Sequence, residues 1–80
     1  MPRYYFDMMD DDGLLVDDEG VEVSNFDAAQ EEAARSLGDM VRDATRNFKR
    51  GHIQQMSIEV RDEIGRVMHV RFSTEVQRRN

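Results

Sequence analysis

The 80-residue chain contains no cysteine, which excludes disulfides, thiolate nucleophiles and metal sites held by sulfur. It lacks any apolar run near the roughly 20 residues that a membrane-spanning helix needs. Its start, Met1-Pro2-Arg3-Tyr4-Tyr5, does not have the basic-then-apolar build of a secretion signal. These absences lead us to expect a cytoplasmic protein in a reducing interior. No phosphate-cradling glycine loop or nucleophile elbow occurs, and Ser57, Ser73 and Thr74 give no triad signature. The expectation is a protein that is not an enzyme and that carries no cofactor. No linker or low-complexity stretch interrupts the chain, and its length suits a single domain, residues 1–80, with a thin core.

What is present is charge, at 35% of residues, with a net value of −6. Its distribution matters more than its sum. Residues 1–34 hold eleven acids against Arg3 alone, whereas residues 35–80 hold six acids against ten bases. Such asymmetry steers association with a charged partner or with a second copy. Hydrophobic residues make up 39% and fall in periodic patterns, so the chain folds rather than remaining disordered.

Tyr4, Phe6 and Met8 alternate with Arg3, Tyr5, Asp7 and Met9, the period of a strand with one buried face. Asp10-Asp11-Asp12-Gly13 then makes a turn, and Leu14-Leu15-Val16 returns antiparallel. Asp17-Asp18-Glu19-Gly20 repeats the device before a short extended piece, Val21 to Val23. Ser24 with Asp27 resembles a capping box and sets the expected helix start. Phe26, Ala29, Ala33, Leu37, Met40, Val41, Ala44 and Phe48 recur at three- and four-residue steps as one apolar stripe. Glu31 and Arg35 form the expected ion pair on the opposite face. Gly38 costs about 1 kcal/mol relative to alanine and is read as admitting a close approach to a strand.

Beyond the basic link Lys49-Arg50-Gly51-His52 come two further strands around the turn Asp62-Glu63-Ile64-Gly65. Parity tests their register. A two-residue turn at Glu63-Ile64 opposes Val60 to Val67 and turns His69 and Arg71 inward. A three-residue loop ending in Gly65 instead opposes Val60 to Met68, Ile58 to Val70 and Met56 to Phe72, keeping every apolar partner on one face. We expect the second, with Asp62 opposite Arg66 and Glu59 opposite His69. The fold expected is α+β, ββαββ, an antiparallel sheet with one long helix packed on one face and strand one beside one of the last two.

Asp10, Asp12, Gly13 and Glu19 match four places of a calcium-loop template, but Met8 occupies the first ligand place and strands flank the loop. Turn-forming aspartates explain the cluster, so no metal site is expected. His52 and His69 stand at no ligand spacing. The arginines are interleaved with acids and the domain is net negative, which makes nucleic acid an unlikely partner. The candidate partner surface is the outer sheet face: Tyr5, Met9, Glu59, Arg61, Val67, His69 and Arg71. Open sheet edges offer a second route, strand addition.

Two resemblances follow. Pro2 to Asp7, Asp12-Gly13, Asp18 to Glu22, Asp27-Ala28-Ala29 with Glu32-Ala33, and Ile58 to Asp62 with Gly65-Arg66 resemble a family of short uncharacterised proteins of rhizobia and related alphaproteobacteria, a domain of unknown function (DUF6894-like). That resemblance implies a self-contained small bacterial protein and supplies no active site. The order of two strands, an acidic glycine-containing turn and an alanine-rich helix is similar to that of HicB-like antitoxins, which implies a small protein partner. The function expected is a small non-catalytic protein-interaction module that self-associates as a homodimer. The alternatives are an antitoxin-like regulator masking a small partner protein, and a weak nucleic-acid binder.

Overall fold

In β1 (Arg3–Asp10) the alternation sends Tyr4 and Phe6 into the core, where they are 9% and 5% exposed. The computed structural model containing this strand describes residues 2–44, 53–75, 77 and 79. β1 is followed by β2 (Gly13–Leu15), β3 (Val21–Glu22), α1 (Phe26–Ala44), β4 (Ile53–Arg61) and β5 (Arg66–Glu75). The sheet is antiparallel with order β2-β1-β4-β5, and β3 also pairs with β1, at its beginning. Strand one thus lies beside β4, one of the last two strands, as expected. The extended piece Val21 to Val23 contributes a short fifth strand, with Arg3 opposite Glu22 and Tyr4 opposite Val21.

One helix covers one face. Ala29 and Ala33 are fully buried and Leu37 nearly so, and α1 packs on β4 and β5. Met56, Ile58 and Val60 of β4 form the centre of the core beneath it, Ile58 and Val60 with no exposure at all. Small alanines at the contact let the helix approach the sheet closely, and burying each large aliphatic side chain contributes about 1.5–3 kcal/mol. The expected stripe is corrected at its start: Phe26, in the first helical turn, is 45% exposed. Its continuation to Phe48, with the basic link that follows, lies outside the described residues.

Four local expectations change. The helix cap is Asn25, not Ser24: its side-chain oxygen accepts the Ala28 amide at 2.8 Å, and its carbonyl accepts that of Ala29. Both residue types cap well, and the one adjoining the first helical residue prevails. Arg35 pairs with Glu32 at 2.6 Å rather than with Glu31, the three-residue step winning over the four. Gly38 approaches no strand, since a β-carbon built there meets nothing within 4 Å.

The last hairpin carries the fourth. Its apolar register is the expected one, with Met56, Ile58 and Val60 opposite Phe72, Val70 and Met68 and Glu59 opposite His69. The tip, however, is the tight turn, not the three-residue loop. The Asp62 amide donates to the Gly65 carbonyl at 2.9 Å, and Arg61, not Asp62, stands opposite Arg66. A register shift between Val60 and Arg61 leaves Val67 without a partner, and this single-residue bulge restores the parity that the tight turn would break.

Candidate interaction surface

Three aspartates begin the three Asp-x-x-Gly turns, and each folds back on its own backbone in the same way. Asp10 Oδ1 accepts the amides of Asp12 and Gly13, Asp17 Oδ1 those of Glu19 and Gly20, and Asp62 Oδ1 those of Ile64 and Gly65. A short carboxylate two or three residues upstream of free amides is what such turns require. In the second turn the chemistry goes further.

β2 and β3 pair with the two ends of β1 and leave a gap between them. Asp17 fills it: its second oxygen accepts the Phe6 amide at 3.1 Å, where a neighbouring strand would otherwise supply a carbonyl. The Asp17 amide donates to Asp7 Oδ1 at 2.9 Å. From β4, Arg61 donates through Nε to Asp7 Oδ2 at 2.8 Å and through Nη2 to the Asp17 carbonyl at 2.7 Å. The same guanidinium lies 4.6 Å from the centre of the Tyr5 ring, a cation–π contact. Gly20 closes the assembly. Its φ is +74°, and a β-carbon there would sit 2.9 Å from Tyr5 Cε2 and 3.0 Å from the Tyr4 carbonyl oxygen, so both conformation and space require glycine.

The network shifts its acids in one direction. The Arg61 hydrogen bond, opposed by burial and helped by the Asp17 amide, holds the Asp7 carboxyl below the usual aspartate value. Burial pushes Asp17 up, but the amides of Gly20, Phe6 and Glu19 together outweigh it and its carboxyl is also lowered. Arg61 is raised, chiefly by its bond to Asp7. All three are charged at neutral pH.

The candidate residues are therefore distributed differently. Across three strands, Met9, Ser57 and Arg71 form one row and Asp7, Glu59 and His69 the next, followed by Tyr5 with Arg61 and Arg66. Met9 is 46% exposed and Arg71 is exposed beside it. Glu59 lies 3.7 Å from Arg66, and His69 is exposed opposite Glu59. Arg61 is engaged by Asp7 and Asp17, and Tyr5 is half-buried in contact with it. The remaining candidate, the bulged Val67, is half-buried and packs against the core. Sequence reasoning missed Asp7 and Asp17. The available signal was an aspartate at the middle of a strand, a residue type that strands disfavour. His52 lies outside the described residues.

Among the described residues no three histidine, aspartate or glutamate side chains are grouped to hold a metal ion. Among the same residues no helix is long and apolar enough to cross a membrane. What this face does chemically is hold charge in fixed positions and lock the first strand to its neighbours. No curated protein and no solved structure matches the chain. The family model described as a domain of unknown function, DUF6894, matches residues 3–73. Nearly the whole described fold, including the Asp7–Asp17–Arg61 network, falls within that match, and the chain belongs to this family.

Proposed function

We propose that the protein is a cytoplasmic, non-catalytic interaction module that pairs with a second copy of itself through the outer edge of β5. The observation that carries this reading is the edge itself. β5 runs for ten residues, Arg66–Glu75, and among the described residues its one partner is β4. A long edge strand with unpaired amides and carbonyls is a ready template for another chain. Its helix-side residues Met68, Val70 and Phe72 are only half-buried, so α1 leaves part of their apolar surface to be covered.

Parity also selects a register for an antiparallel pair of β5 strands. Centring the two-fold on Val70 sets Val70 against its own copy and Met68 against Phe72 of the other chain, continuing one apolar face across both sheets. Two helices then lie side by side on a doubled sheet, which adds buried surface to a domain whose single core is thin. Sedimentation equilibrium at micromolar concentration tests this: a dimer is expected, with slowed hydrogen exchange along β5. A strictly monomeric protein refutes it.

A further inference from the structure

We infer that the bare strip of sheet beside α1 is a docking groove for an amphipathic, basic helix of another protein. Neighbouring strands lie about 4.8 Å apart and a helix covers a width of about 10 Å, roughly two strands. α1 packs on β4 and β5. On the other side, among the described residues, no second helix covers the sheet.

The groove has an apolar floor and walls. Met8 and Phe6 lie at its base, and Leu15, Val16 and Val21 stand along the β2–β3 side at 68%, 55% and 43% exposure. Past Leu15 it adjoins a second depression that reaches Met40 of α1. A second helix laid parallel to α1, at the usual interaxial spacing of about 8–10 Å, would cover Met8, Leu15, Val16 and Val21 over the buried Phe6.

Charge selects the occupant. The described residues lining the two depressions include Asp10 and Asp12 at one end and Asp18, Glu19 and Glu32 toward the other, and no lysine or arginine. Glu32 is already paired with Arg35 and Asp17 is held in the Arg61 network, but among the described residues no lysine or arginine faces Asp10, Asp12, Asp18 or Glu19 in the groove. Aliphatic side chains flanked by lysine or arginine complement such a surface. The outward face of α1 in a second copy does not, because it presents Gln30, Glu31, Arg35, Asp39, Arg42 and Asp43, a mixed-charge surface with no large aliphatic side chain.

This inference does not depend on self-association through β5. The test uses a synthetic helical peptide of about 18 residues, with leucine at three- and four-residue steps and lysine or arginine beside them. Its control is the same peptide with glutamate at every basic position. Titration calorimetry with the whole protein should show binding of the basic peptide and not the acidic one, weakening as salt rises. Leu15→Asp, at an exposed position, should leave the circular dichroism spectrum unchanged and weaken binding by roughly 10–100-fold, the effect of losing one buried aliphatic side chain. Equal binding of both peptides, or a change below about twofold in the variant, overturns the inference. So does a fall in sedimentation mass on Leu15→Asp, which would assign the groove to a second copy.

Discussion

Asp17→Ala should destabilise the protein far more than the same truncation at the other two turn aspartates. Each of the three side chains caps two amides of its own turn, and losing such a cap costs about 1 kcal/mol. Asp17 alone also accepts the partly buried Phe6 amide, at 3.1 Å, and a hydrogen bond to a charged group contributes about 1.5–3 kcal/mol. The expected loss is therefore about 2.5–4 kcal/mol for Asp17→Ala, against about 1 kcal/mol each for Asp10→Ala and Asp62→Ala. Chains of this length have total stabilities of roughly 4–12 kcal/mol, so the difference is a large fraction of the whole. The backbone contacts of Asp17, its amide to Asp7 and its carbonyl from Arg61, survive the substitution, which isolates the carboxylate. Urea denaturation followed by far-ultraviolet circular dichroism gives the comparison. If the midpoint of Asp17→Ala coincides with that of Asp10→Ala, the carboxylate does not replace a missing strand and the account of the gap in β1 fails.

Gly38→Ala should raise stability by about 1 kcal/mol, because the position is helical and exposed with open space around it; thermal denaturation should show a midpoint higher by about 4–8 °C. Gly20→Ala should instead cost at least about 1–3 kcal/mol, from the left-handed backbone and the approach to Tyr5 and Tyr4, and a neutral result in the same melt would contradict the packing described. Acid should unfold the protein through Asp7 and Asp17. Both have folded values below the ordinary 3.8, so their contribution is complete above that pH and is lost as pH falls through the lowered values. Stability measured from neutrality downward should begin to drop near pH 4, and Asp17→Asn should flatten that drop.

The parts of this fold that follow from short-range chemistry were legible in the chain. Period-two alternation in β4 and β5 decided their apolar register, because a one-residue slip would turn Met56, Ile58 and Val60 to the wrong face. The three Asp-x-x-Gly turns were equally plain, since each aspartate bonds within three residues of itself. The bulge at Val67 was not legible. Parity demanded an odd residue somewhere near the tip, and both a longer loop and a bulge satisfy that demand. The Asp7–Asp17–Arg61 network was hidden for another reason. Its members are joined across 10 and 54 positions of sequence, and only the pairing of β1 with β4, Tyr5 opposite Arg61, brings them together. Without that register, Arg61 reads as one more charged residue on a solvated face.

The order of the strands also governs how the molecule is made. β1 is near the start of the chain and yet sits inside the sheet, between β4 and the short pair β2 and β3. During synthesis its first segment has only five strand residues to lean on, Gly13–Leu15 and Val21–Glu22, until β4 follows. No stable half-product is expected from so slight a hairpin. The chain must complete one large loop before its apolar residues find cover, so formation should be a single cooperative event with a rate limited by that closure. A nascent polypeptide stopped ahead of Ile53 would remain unstructured, however good its local turns.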